Sequence, residues 1–309
     1  MRKFFVLFLV VSCWLYANAA TKNSEKVPGT VLKFINCVEK LSDFVDEETA
    51  IRLRSEMTNC FASQQETYGI NIDDGESGNS SEFPFLGFAT VSNSTSYCMR
   101  LYTYIFTNKN LKISHQVLNT EAINTIGDDG KDELYFYSTT LKKTYSYNNT
   151  TRNLWQVIEV PSGDNKPIDQ LVTYEYEPKA TSIVDAYEEK IETPNINDPK
   201  NQHKQEGTKR RELSEREYLN LAARYYTAKN YERSYDVLKK MTEIYDMNAE
   251  GWYRLALIVY YQPQSCKKIY SNHKEAAKSF MKNAEVRASG SFKERISNRL
   301  LRWELRKFM

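Results

Sequence analysis

"YLNLAARYYTAKNYERSYDVLKKMTEIYDMNAEGWYRLALIVYY", residues 218–261, decides how the C-terminal part of this chain is built. Leu221, Ala222 and Tyr225 follow Tyr218 at steps of three and four, the spacing of one apolar face on a helix. Ser234, Leu238 and Met241 then mark a second helix. The pattern restarts 34 residues after Tyr218, where Trp252, Leu255 and Ala256 repeat the offsets of Tyr218, Leu221 and Ala222. Just upstream, Ser214 and Glu217 have the spacing of a capping box, and Leu213 is placed to staple against Tyr218. Helix nucleation is thus encoded at the start of the repeat.

This restart resembles the tetratricopeptide repeat, whose helix pairs carry a large aromatic, Leu, a small residue and an aromatic on the first helix. Met241 is large where the family usually has alanine, and Asp246 stands where it often has proline. "QPQSCKKIYSNH" interrupts the second copy and carries Cys266, expected as a packed or exposed thiol, before "KEAAKSFMKNA" resumes it. That insertion resembles the longer Sel1-like variants, with Ala276, Ala277 and Ala284 on the second helix. The resemblance implies that stacked first helices line a concave surface for a protein or peptide partner. The family's groove positions fall on Arg216, Asn220, Ala223, Tyr226, Tyr253, Arg254, Leu257, Tyr260 and Tyr261. Aromatic residues and arginine are what interface hot spots favour. The last helix, "FKERISNRLLRWELRKF", stripes Phe292, Ile296, Leu300 and Trp303 inward and turns its basic residues outward. It reads as a polar-faced terminal cap, with an anionic membrane or acidic partner as the other use of those charges.

Upstream the pattern changes. Val31, Phe34, Val38, Leu41 and Val45 form one helical stripe, and Ala50, Leu53, Met57 and Phe61 form another behind Asp46 as N-cap. From about residue 83 to 191 tyrosine and β-branched residues alternate at period two. "RLYTYIF", "LKISHQVL", "LYFYSTTLKKTYSY", "NLWQVIEV" and "LVTYEYE" read as strands. Helices followed by a run of strands give an α+β class, N-terminal helices on a curved antiparallel sheet, with an all-α repeat domain after it. The expected divisions are a signal peptide at 1–19, an α+β domain at 20–192, a linker at 193–211 and a helical repeat domain at 212–309. In element order the α+β domain resembles the NTF2-like superfamily, which implies a cone-shaped pocket closed by the helices.

His115 is the histidine on an apolar strand face, and hence the candidate pocket residue for small-ligand binding or hydrolysis. No catalytic, cofactor or metal-binding motif accompanies it, so the chain reads as a binding protein without a cofactor rather than an enzyme. "GDDGKDE", residues 127–133, lacks the spacing of a calcium loop and reads as a solvated hairpin turn. Cys37 and Cys60, at the margins of the two helical stripes, are the candidate disulfide pair.

Arg2 and Lys3, an apolar run from Phe4 to Tyr16 and the small residues of Ala17-Asn18-Ala19 have the make-up of a signal peptide. The mature chain is expected to begin at Ala20 and to be exported, periplasmic or secreted. Val10-Val11-Ser12-Cys13 also resembles a lipobox, so a lipid anchor at Cys13 is the alternative. Without Arg2 and Lys3 the 42 basic residues become 40, equal to the 40 acidic ones, which argues against nucleic acid as a partner. Oligomeric state is left open.

Overall fold

A computed structural model of the chain describes residues 26–43, 45–62, 94–174, 177–178, 184, 213–266 and 270–305. The signal segment with Cys13 and the linker at 193–211 lie outside these residues. Helices, a four-stranded antiparallel sheet and a final all-helical region follow one another along the chain, an α+β fold. Two compact units result: Met1–Ala122 with Tyr137–Glu177, and Ile123–Phe136 with Pro178–Met309.

In the first unit, α1 (Gly29–Leu41) buries Val31, Phe34, Cys37, Val38 and Leu41. The next helix, α2 (Glu47–Thr58), is capped by Asp46, whose carboxylate accepts from Thr49 N at 2.9 Å, and buries Ala50, Leu53 and Met57. Both stripes match those read from the sequence except at their ends: Val45 and Phe61 lie beyond the helices, Val45 only partly buried and Phe61 buried in the core. The third element, α3 (Ser94–Thr107), corrects the reading of "RLYTYIF" as a strand. Tyr97, Cys98, Leu101 and Ile105 recur at helical steps and are all buried, and Thr103 Oγ1 donates back to Met99 O at 2.9 Å as in a helix interior. Aromatic and β-branched content favours a strand only weakly; an apolar stripe with a core to meet outweighs it.

The sheet is a meander, β1 (Lys112–Ile126), β2 (Asp132–Tyr147), β3 (Thr150–Pro161) and β4 (Gln170–Tyr174), in that spatial order. Trp155 faces Tyr174 and Glu159 faces Gln170 across β3 and β4. Beneath lies an aromatic core: the Phe34 and Phe61 rings meet edge to face at 5.4 Å, and Tyr97, whose hydroxyl accepts from Gln156 Nε2 at 3.1 Å, packs on both.

The second unit holds α4 (Glu215–Thr227), α5 (Tyr231–Ile244), α6 (Ala249–Tyr261), the short α7 (Pro263–Cys266), α8 (His273–Arg287) and α9 (Gly290–Leu305). The expected capping box is present, with Ser214 Oγ accepting from Glu217 N and Glu217 reaching back to Ser214 N at 2.8 Å. Asn230, Asn248 and Asn272 cap α5, α6 and α8 in the same way through their side-chain oxygens. Helices α4 and α5 pack as one pair and α6 and α8 as another, with α9 against α8. Met241 is fully buried with Gly251 facing it; a Cβ on Gly251 would stand 3.2 Å from Met241 Sδ. Trp252 is only half-buried, its indole N–H donating to Asp246 O at 2.7 Å. Cys266 is a buried thiol. The far ends of β1 and β2, with the turn between them, belong to this helical unit.

Candidate functional site

The candidate site is the face of α4, α6 and α9 that holds this hairpin tip, residues 123–136. At its entry Asn124 N donates to Thr227 Oγ1 at 2.8 Å, while the Thr227 hydroxyl donates to Asn124 O and Ala223 O. Ile123 and Phe136 pack on Ala223 in a small apolar cluster. Tyr135 lies between two guanidinium groups, Arg216 at 5.0 Å and Arg254 at 5.2 Å from its ring centre, and its hydroxyl accepts from Arg216 Nη1 at 3.1 Å. Arg254 also donates to Ile126 O at 3.0 Å.

The turn itself is closed by Gly127 N donating to Lys131 O at 2.7 Å. Asp128 takes the fork of Arg295, with Nε and Nη2 at 2.8 and 2.9 Å from its two oxygens, and Arg299 Nη2 at 3.5 Å. Burial alone would raise the Asp128 carboxyl; the Arg295 bond and charge, joined by Arg299, outweigh it and hold the group below the usual carboxylate range. Asp132 accepts from Lys229 Nζ at 2.9 Å and Tyr226 Oη at 3.0 Å, and the Lys229 bond lowers its pKa in turn. Tyr261 Oη donates to Asp128 O at 2.9 Å and accepts from Arg299 Nη1 at 2.9 Å. Gly130, at φ +83°, lies flat on the Tyr261 ring.

Five of the nine sequence-derived groove residues, Arg216, Ala223, Tyr226, Arg254 and Tyr261, are therefore brought together on the tip. Of the other four, Asn220 and Leu257 are buried, Tyr260 stacks on Trp303 at 4.0 Å, and Tyr253 packs edge to face on Phe292 at 5.4 Å with the Arg295 guanidinium 5.4 Å from its ring centre. Arg224, whose guanidinium lies 5.3 Å from the Phe136 ring centre, and Thr227, Lys229, Arg295 and Arg299 belong to the site and were missed. The basic excess of the last helix was the available signal, but Arg299 is buried rather than turned outward. "GDDGKDE" is a hairpin turn as expected, with Asp129, Lys131, Asp132 and Glu133 exposed, while Asp128 and Gly130 are seated on the helices.

In the first unit the His115 side chain has no exposed surface. Its Nδ1 lies 3.1 Å from Glu39 Oε1, which also accepts from His115 N at 2.6 Å. Burial, and after it the charge of Lys143, drives the imidazole pKa down to about 2. The ring is neutral, so Nδ1–H donates to Glu39 in a hydrogen bond that is no ion pair, and Nε2 is a buried acceptor without a partner among the described residues. Burial also pushes Lys143 down to about 7. Cys37 and Cys60 are free thiols, with Cys37 Sγ 3.9 Å from the Glu56 carboxylate and Cys60 Sγ 3.3 Å from Glu56 O. No group of three or more metal-ligating side chains occurs among the described residues, and no helix there is long and apolar enough to cross a membrane. No protein-family model matches the chain, and no curated protein matches its sequence.

Proposed function

We propose that the helical unit is a protein-interaction module that binds a polypeptide segment on its first-helix face, in a protein exported by its signal segment. One observation carries the reading: the tip of β1–β2 is bonded by Arg254, Tyr261 and Tyr226 of α6 and α4, residues that the tetratricopeptide resemblance assigns to a ligand groove, with Arg295 and Arg299 of α9 beside them. The bonds go to backbone carbonyls as well as to side chains, the means by which a groove recognises a chain rather than a small molecule. Pocket chemistry at His115 has less support, since an imidazole with no exposed surface has no route to a ligand.

The test uses the full-length chain with a weakened tip, Asp128→Asn with Asp132→Asn. It is titrated by fluorescence anisotropy with a labelled, end-cyclised peptide of residues 123–136. Saturable binding is expected, weakened about tenfold by Arg254→Ala, the size of a single hot-spot loss. No binding by a chain whose circular dichroism and melt show it folded overturns the module. Export is checked separately by the intact mass of the secreted chain, expected to begin at Ala20.

A further inference from the structure

The make-up of the tip narrows the partner, an inference that rests on the module proposed above. Asp128 and Asp132 stand four positions apart and take opposite ends of the cationic face, Arg295 and Arg299 on one side and Lys229 on the other. Gly130 between them brings the backbone onto Tyr261, closer than any side chain permits. The tip does not fill the face. A cavity of about 450 Å³ remains beside it, lined on the helices by Tyr261, Arg299, Arg302 and Trp303 and on the turn by most of residues 127–133, Lys131 and four carboxylates among them. Arg302 is exposed and has no ion pair among the described residues. The cis occupant thus leaves both space and a cation unused.

The contacts also mix apolar and charged groups. Ile123 and Phe136 cluster with Ala223, and Ile126 is buried as well, beside charge-assisted bonds and cation–π contacts. Permanent interfaces resemble a core cut in half, and transient ones are more polar.

We propose that the external partner is a protein presenting an acidic tight turn, two acidic side chains four residues apart around a glycine, with a further acid that reaches Arg302. The chain's own tip competes for the same face and keeps it closed until displaced. A tethered ligand acts at a local concentration on the order of millimolar. The apparent affinity for a partner falls in proportion to the fraction of time the face is free. Asp128 is the lever, because its loss removes the forked Arg295 bond without changing the shape of the turn.

The experiment titrates full-length wild type and Asp128→Asn with two labelled cyclic probes. One is the peptide of residues 123–136; the other is the same peptide with Asp129 and Lys131 replaced by glutamate. Asp128→Asn is expected to bind either probe at least tenfold more tightly than wild type, and Gly130→Ala, which unseats the tip by a different route, should do the same. The more acidic probe should bind tighter still, a gain that Arg302→Ala removes. Equal affinity of wild type and both tip variants overturns the competition while leaving the module standing. No gain from the added acids overturns the partner's chemistry. Failure of every folded variant to bind either probe overturns the module itself.

Discussion

Replacing Gly130 by alanine should release the hairpin tip from the helical unit, at a cost that can be separated into two parts. A Cβ at this position would stand 2.5 Å from Tyr261 Cδ1 and 2.7 Å from Cε1. The ring has little freedom to yield. Its hydroxyl is held by Asp128 O and Arg299 at 2.9 Å each, and Tyr260 packs on it edge to face at 4.9 Å. Overpacking of this kind costs about 1–3 kcal/mol. The backbone adds its own penalty, because φ is +83°, and a left-handed residue with a Cβ costs about 1–2 kcal/mol. Together Gly130→Ala should destabilise the docked tip by roughly 2–5 kcal/mol. Gly290→Ala is the control for the backbone part alone: φ is +55° there, with no atom within 4 Å of the added carbon. In a Tyr261→Ala background the steric part disappears, and Gly130→Ala should cost only about 1–2 kcal/mol. Urea unfolding followed by tryptophan fluorescence gives the global cost, and hydrogen exchange at the amides of residues 124–130 detects undocking without global unfolding. An equal cost of Gly130→Ala in both backgrounds would refute the argument that the turn is seated on Tyr261.

The Asp128 carboxyl is held below the usual range by Arg295, so its contribution to docking should be complete above the ordinary carboxylate pKa of about 4 and fade as pH falls through the lower native value. Hydrogen exchange of the turn between pH 2 and pH 6 should show that loss in wild type and a flatter profile in Asp128→Asn. Burial pushes Lys143 down to about 7 in the fold against about 10.4 when unfolded, so between those values the unfolded chain holds the extra proton and stability should rise with pH from about 7 to about 10. Lys143→Met should melt higher than wild type at pH 7 and lack that rise. Burial pushes the thiols of Cys60 and Cys98 up to about 11 and about 12, and raises Cys37 as well, so a brief alkylation at pH 8 should leave all three unmodified until the chain unfolds, read by intact mass.

The local elements were legible where one residue pattern admitted one partner. Asp46 and Ser214 cap the helices their spacing announced, and the stripes of α1, α2 and α4 are the buried ones. The reading of α3 as a strand failed because Tyr102, Thr103 and Tyr104 carry strand preference, and the stripe that overrode it shows its purpose only once α1 and α2 supply a core. The site was half legible for a related reason. The positions carried over from the tetratricopeptide resemblance include Arg254 and Tyr261, which meet the tip in the structure, since their place depends on the helix they sit on. It misses Arg295 and Arg299, whose role depends on an aspartate more than 160 positions away in the chain. Composition likewise made residues 127–133 a polar turn, which they are; a polar turn fits a cationic groove as well as it fits water.

The energetics of the occupied face bear on why such a groove persists. Tyr253 Oη, Arg299 Nε and Trp303 Nε1 are buried there without a hydrogen-bond partner among the described residues. Each orphaned polar group costs about 1–3 kcal/mol. Arg254 and Arg299 are nearly buried cations whose desolvation the ion pairs only offset. A contact serving stability alone would do better with apolar side chains of the same size, as the core of the first unit does with Phe34, Phe61 and Tyr97. Polar groups retained at such expense point to recognition, because directed donors discriminate one chain from another where apolar packing does not. If the face reads an acidic turn, as proposed, the tip's own chemistry follows from the same constraint: to compete for that face, the chain must carry such a turn.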